Sequence, residues 1–387
     1  MMLTLHAIVA LLAVAALALR PRSTPAALAT AAAGLVDVAL GAPATSALAV
    51  VAPLLGFLAA ALTLAALVER SGLAERIASL LAAGARGSTP ALYALVCLLC
   101  ALLTAIVSLD GAVVLMVPLL RSLVRSFKAP FAPLFLGVVV VANASSIAVP
   151  QGNPTNLVLM SRLGLSPQAF LGHMLGPGLA AAAVCAAAIA LRERRTLAAG
   201  HTAPVLRRTP LSTAERRAAL ALAGAALAGW TAPLVGIAPW WPFSAAVAAA
   251  LLVRRERPRL LIPWRLGLQV AGLIVAIHAL ALRLPPQPTP GMVGLAAVAL
   301  AVGAASALAN NLPASVSAAA LLATGPAAYA ASIGLAVGAL ATPQGSVATL
   351  IATDLAGSDA PPLPLRYLTA AACTGLLVAT ALLRTTL

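Results

Sequence analysis

The sequence predicts an all-α, polytopic membrane protein built as two inverted-topology repeats, with about ten transmembrane helices, two re-entrant hairpins and two broken helices. Three observations carry that prediction. Hydrophobic residues make up 62% of the chain and charged residues only 9%, whereas about a quarter of a soluble domain is charged. Apolar runs close to the roughly 20 residues that cross a bilayer recur along the chain. One polar, helix-breaking phrase is also written twice, as "PQGNPTNLV" from Pro150 and as "PQGSVATLI" from Pro343, each time at the end of an apolar run.

The crossings fall at about 2–19, 24–41, 45–68, 130–159, 168–191, 218–233, 240–253, 264–282, 326–352 and 364–384. The first carries no basic residue ahead of its apolar core and no clear A-x-A site, so it reads as a membrane helix and not as a cleaved signal. Two further stretches, 89–127 and 290–324, are too long for one helix. Each is interrupted near its middle by a polar tip, "SLDG" (108–111) and "NNLP" (310–313), and reads as a re-entrant hairpin. Between the third crossing and the first hairpin, "SGLAERIASLLAAGAR" sets Leu73, Ile77, Leu80 and Leu81 against Glu75, Arg76 and Ser79, which predicts an interfacial helix.

The net charge of +15 does not point to nucleic acid, because aromatic residues are 3% of the chain and the arginines cluster between apolar runs. They behave as topology signals. With the 192–217 loop in the cytoplasm and the sides alternated from there, all but Arg162, Arg283 and Arg384 of the 24 basic residues face inward. This orientation predicts a cytoplasmic-membrane protein with both termini extracytoplasmic. Trp230, Trp240 and Trp241 then lie at an outer boundary and Trp264 at an inner one. The four cysteines, Cys97, Cys100, Cys185 and Cys373, lie within apolar segments, and the C-x-x-C pair reads as small buried hydrophobes before it reads as a metal site.

These elements divide the chain into a first repeat (1–191, hairpin 89–127, broken helix 130–159), a basic cytoplasmic linker (192–217) and a second repeat (218–387, hairpin 290–324, broken helix 326–352). Five crossings and one hairpin in each half make the second repeat enter the membrane upside down. Pro150, Gly152, Pro154, Pro313, Pro343 and Gly345 are the predicted helix breaks, since proline removes a backbone donor and glycine loosens the helix. Broken backbone is tolerated in hydrocarbon only where it faces a cavity, and inverted repeats with discontinuous helices characterise secondary transporters. Proline kinks that serve packing alone would not need the polar residues that accompany the breaks. The substrate-binding candidates are Asn143, Ser145, Ser146, Gln151, Asn153, Thr155, Asn156, Asn310, Asn311, Thr342, Gln344, Ser346 and Thr349.

The segments "SLDGAVVLMVPLL", "ANASSIAVPQGNPTNLV", "LANNLPASVSAAALL" and "ATPQGSVATLIATDL" resemble the signature regions of the arsenical pump membrane proteins, the arsenite and antimonite efflux permeases of the ion transporter superfamily. The resemblance covers about 45–384 and implies paired hairpins and broken helices, with proton-coupled efflux of arsenite or antimonite. It also implies a place to look for a cytoplasmic ATPase subunit, the basic 192–217 loop. Arsenite at neutral pH is an uncharged trihydroxide that amides and hydroxyls can grip, and no arginine or lysine lies near the candidate residues in sequence. A citrate or dicarboxylate carrier of the same superfamily is the alternative, although its Ser-Asn-Thr motif is absent here. A sodium/proton antiporter and a non-transporting membrane scaffold are further readings.

No catalytic grouping, cofactor or metal motif is expected, because His6, His173, His201 and His278 are scattered, with His278 a weak proton-relay candidate. Of the nine carboxylates only Asp37 and Asp110 lie well inside membrane segments. Asp37 is close enough to the end of its span to reach the interface. Asp110, at a hairpin tip, is the proton-coupling candidate, with a helix cap as the structural alternative.

Overall fold

In the computed structural model the described residues are 2–19, 23–42, 71–203, 210–231, 237, 240–254, 264–281, 294–322 and 325–387, with scattered positions between 45 and 70. Most of the third predicted crossing, 45–68, therefore lies outside them. Among the described residues all regular structure is helical: α1 (Met2–Leu19), α2 (Thr24–Ala39), α3 (Leu73–Gly84), α4 (Thr89–Val107), α5 (Leu109–Phe127), α6 (Phe131–Ser145), α7 (Pro154–Leu163) and α8 (Pro167–Arg192) come first. They are followed by α9 (Thr213–Thr231), α10 (Trp240–Arg254), α11 (Trp264–Ala281), α12 (Gly294–Ala309), α13 (Asn311–Leu321), α14 (Pro326–Val337), α15 (Val347–Ala356) and α16 (Leu365–Thr386).

Helix starts follow from local chemistry. Ser23, Ser88 and Ser166 each precede a helix with proline in its first two positions, and each hydroxyl accepts from a first-turn amide, Ala26, Ala91 or Ala169. Serine satisfies an otherwise unpaired donor there, and proline costs nothing where its missing N–H would have had no partner. At α9, Ser212 and Glu215 form a reciprocal capping box, with Ser212 N–H donating to Glu215 Oε2 at 2.6 Å and Glu215 N–H to Ser212 Oγ at 3.2 Å. Those bonds hold the half-buried Glu215 carboxyl below its ordinary range.

The first hairpin is α4 and α5, joined at Ser108. Its two open ends meet one loop: His201 N–H donates to Gly87 O at 3.2 Å, and Thr202 N–H to Phe127 O at 2.9 Å. The arms therefore leave on the side they entered. The second hairpin is α12 and α13, joined at Asn310. Its first arm packs on α14, as α4 packs on α6 in the first half.

Packing between the halves is reciprocal. The second arm of the first hairpin, α5, lies against α15, and the second arm of the second hairpin, α13, lies against α7. The last helices of the halves, α8 and α16, also pack together, where a Cβ on Gly375 would stand 3.1 Å from Cys185 Sγ. Cys97, Cys100 and Cys185 are buried among apolar neighbours, while Cys373 is exposed.

One expectation is sharpened and one changes. Along α3, Leu73 is buried with Ala74, Ala78 and Ala82, Ile77 and Leu81 pack against the core at its margin, and Leu80 alone of the predicted apolar face is exposed, with α3 lying against α5. Asp37 does not reach the interface: it is 0% exposed and lies 2.5 Å from the Nδ1 of His6, itself 0% exposed. The bundle formed with α11 covers both.

Polar contacts across the fold join residues that the charge count put on one side. Arg121 donates to Ala356 O at 3.2 Å and pairs with Asp359 at 3.7 Å, Arg76 pairs with Glu215 at 3.8 Å, and the Arg192 guanidinium lies 5.9 Å from the Tyr367 ring centre. At the opposite end, Thr386 donates to the His173 carbonyl at 3.2 Å.

Candidate functional site

Both "PQG" phrases sit where a helix stops inside the protein. In the first, α6 ends at Ser145, the chain passes through a short 3₁₀ turn at Pro150–Gly152, and α7 starts at Pro154. In the second, α14 continues as a 3₁₀ turn over Gly338–Ala341, Pro343 to Gly345 form a turn, and α15 starts at Val347. The glycine has the same reason in both. A Cβ on Gly152 would stand 2.4 Å from Ser146 O, and one on Gly345 would stand 2.2 Å from Ala339 O, so any larger residue would drive the loop off the helix end it folds over.

Two of the predicted breaking prolines do not break anything. Pro154 begins α7 and Pro313 lies in the first turn of α13, positions where a missing N–H is harmless. The interruption in the second hairpin is Asn310, with φ of 80°. Its counterpart is Ser108, with φ of 91°. Non-glycine residues rarely adopt such backbone, and where they do the strain is concentrated at functional sites. The hairpin tips thus share one unusual conformation.

The tips dock on the breaks. Gln151 Nε2 donates to Ala105 O at 3.2 Å near the first tip. At the second, Asn310 Nδ2 donates to Gln344 O and Asn311 N–H to Gly345 O, both at 2.8 Å. The first break is clamped internally: Asn153 Nδ2 donates to Ser146 Oγ at 3.1 Å, while Asn156 Nδ2 donates to Ser146 O at 2.9 Å and Val149 O at 3.1 Å. Within this region Asn143 Nδ2 donates across the halves to Thr349 Oγ1 at 3.4 Å. A continuous polar belt therefore links both tips and both breaks.

Of the predicted binding residues, Asn143, Ser145, Ser146, Gln151, Asn153, Thr155, Asn156, Asn310, Asn311, Gln344, Ser346 and Thr349 are buried in this belt. Thr342 is half-buried and donates to Ala307 O. Ser306, which bonds Leu335 O at 3.0 Å, and Ser108 belong to the belt as well. Sequence reading passed over both; the tip position of Ser108 was the available signal.

Several of these buried atoms have no hydrogen-bond partner among the described residues: Ser108 Oγ, Asp110 Oδ1, Asn143 Oδ1, Ser145 Oγ, Thr155 Oγ1, Asn156 Oδ1 and Ser346 Oγ. Unmade hydrogen bonds are costly in a low-dielectric interior, and such a concentration of them is a feature of sites that receive a polar ligand. Asp110 is 2% exposed and lies in the first turn of α5, where the helix dipole favours a negative charge. It is not the cap. Ser108 occupies that position, and its side chain makes no capping bond. Among the described residues no arginine or lysine is buried. The side chain of His278 lies outside the described residues.

Paired hairpins and broken helices around a buried polar belt, in a chain of apolar helices, define the class as polytopic membrane transport proteins. The chain belongs to the citrate transporter family, which it matches over residues 2–342. That is a family of secondary membrane transporters within the ion transporter superfamily. It is also 30% identical over 124 residues to a silicon efflux transporter of rice (Oryza sativa subsp. japonica). That alignment takes in 32% of this chain and spans only 25% of the relative.

Proposed function

We propose that the chain is a proton-coupled efflux carrier for small uncharged hydroxides of the metalloids, with arsenite and antimonite as the first substrates to test. The observation that carries this reading is the set of unpartnered buried hydroxyl and amide atoms, with no buried cation among the described residues. Neutral donors and acceptors suit a neutral polyol-like solute, which can both give and take hydrogen bonds. Silicic acid has the same chemistry, so the name of the rice relative supports the class. Asp110, buried beside this set, is the proposed proton carrier.

The same reading takes the two halves as inverted repeats that move relative to the rest of the protein, with the substrate held between them. The same-side contacts of Arg76, Arg121 and Arg192 support the proposed sidedness, with both termini outside a cytoplasmic membrane. The basic linker, where an ATPase subunit would be sought, is folded back over 200–203 onto the ends of α4 and α5. Coupling to protons needs no such subunit.

Citrate is the second reading, favoured by the family description. The uncapped starts of α5 and α15 could hold a carboxylate. Growth of an arsenite-sensitive bacterial host expressing the chain separates the two. Resistance to arsenite or antimonite, without growth on citrate as carbon source, is the expected outcome. Growth on citrate without resistance would overturn the metalloid reading.

A further inference from the structure

Helices α8 and α16 are long and apolar enough to cross a membrane, and they pack on each other. They run antiparallel: Thr386, at the end of α16, donates to the His173 carbonyl near the start of α8, and Tyr367, at the start of α16, meets Arg192 at the end of α8. The end they share at Arg192 and Tyr367 therefore marks one surface of the bilayer. Four arginines gather there, Arg192, Arg194 and Arg195 from the end of α8 and the turn after it, and Arg366 beside Tyr367. We infer that this rim binds the headgroup of an anionic phospholipid, whose acyl chains lie along the outer face of α8 and α16.

The arginines are fixed in place by backbone bonds. Glu193 N–H donates to Ile189 O and Leu197 N–H to Glu193 O, both at 2.9 Å, so a helical path continues from α8 through the turn Arg194–Leu197. Leu197 is 3% exposed and anchors that turn in the core. Arg194, Arg195 and Arg366 are exposed.

Charge decides what can settle on the rim. The one acidic residue within 192–197 and 365–368 is Glu193, which pairs with Arg192 and accepts from Thr196 Oγ1 at 3.4 Å. Among the described residues Arg194, Arg195 and Arg366 make no ion pair. Arg76 and Arg121, by contrast, are used within the protein, on Glu215 and on Asp359 with Ala356 O. The rim keeps a surplus of positive charge.

Guanidinium forks match phosphate oxygens two at a time, and basic clusters beside a spanning helix attract anionic lipid. Tyr367, 36% exposed, is the kind of aromatic side chain that settles at headgroup depth. Leu191 and Leu365 adjoin the arginines in sequence, Leu179 and Leu377 lie farther along the two helices, and all four are exposed. Apolar surface for acyl chains thus begins where the charge stops. A free phosphate would use the arginines alone.

The test is lipid retention. The full chain, purified in detergent, is offered equal amounts of phosphatidylglycerol and phosphatidylcholine, and the bound lipids are counted by native mass spectrometry. The parent should retain phosphatidylglycerol in preference, and Arg194→Gln, Arg195→Gln and Arg366→Gln together should weaken that binding roughly tenfold or more. A matched triple variant, Arg125→Gln, Arg216→Gln and Arg217→Gln, removes three other exposed charges and should bind like the parent. Glycerol 1-phosphate, a headgroup without chains, should not displace the lipid.

An equal loss in both variants would reduce the effect to the general attraction of a positive surface and overturn the site. Displacement by glycerol 1-phosphate would do the same, leaving a site for a soluble phosphate. The parent alone keeps the inference falsifiable should a variant fail to fold: no preference for phosphatidylglycerol would contradict it, and that is the result expected if the rim serves an acidic protein instead. None of these outcomes depends on which substrate is carried or on which side of the membrane the rim faces.

Discussion

Four helices begin in the polar belt, and they pack as two pairs that finish their first turns differently. In the pair α7 and α13 each helix is closed by its own asparagine: Asn153 Oδ1 accepts from Thr155 N–H at 3.0 Å, and Asn310 Oδ1 accepts from Leu312 N–H at 3.2 Å. In the pair α5 and α15 the equivalent positions are serines, Ser108 and Ser346, and neither makes a capping bond. The backbones match across the halves. Ser346 has φ of −131° and ψ of 135°, against −143° and 131° at Asn153. The tips Ser108 and Asn310 agree in the same way.

The difference lies in what the caps leave available. Asparagine satisfies the first amides of α7 and α13, and Asn156 further ties the first break to itself. At α5 and α15 no side chain of the capping residue closes the first turn, and both serine hydroxyls lack a partner among the described residues, with Asp110 at the start of α5. An uncapped helix start offers donors and a positive dipole end to whatever arrives. On the proposed reading one pair holds the fold, and the other faces the substrate and the proton.

The largest expected effect is at Asp110. Asp110→Asn keeps the size of the side chain and removes its proton. Proton-driven uptake of arsenite into inverted vesicles should fall to background, while exchange of arsenite across the same membrane persists. Parental proton-driven flux in that variant would remove Asp110 from the open pair's chemistry and leave it a structural residue.

The two breaks should respond alike to a methyl group, since their glycines fold over equivalent carbonyls. Gly152→Ala and Gly345→Ala should each destabilise the purified protein by about 1–3 kcal/mol, read as a lower melting temperature. A clear loss in one and none in the other would show that the breaks are not equivalent structures.

The sequence made the belt legible because polar residues are expensive in an apolar chain. Asn143, Asn156, Asn310 and Ser346 stood out against alanine and leucine, and the repeated "PQG" marked the breaks. Other features were hidden for physical reasons. Proline was read as a breaker at positions 154 and 313, yet it sits in first turns there, and only backbone geometry separates a start from a break. The His6 and Asp37 pairing joins residues on different helices, so no local pattern announces it. The apolar face of α3 was legible except at Leu80, while the alanines that share the buried seam with Leu73 carried little hydrophobic signal. The distinction between capped and open helix starts was equally out of reach. Asparagine and serine are both good caps, and the choice depends on rotamers that the packing sets.

The central claim is that the open pair handles substrate while the closed pair handles stability, and one comparison of Ser346→Ala with Asn153→Ala tests it. Arsenite flux in liposomes and melting temperature are measured on the same preparations. Ser346→Ala should raise KM roughly tenfold, about 1.4 kcal/mol, with an unchanged melting temperature. Asn153→Ala should lose about 1 kcal/mol of stability and keep its KM within about twofold. A parental KM in Ser346→Ala together with a raised KM in Asn153→Ala would contradict the account.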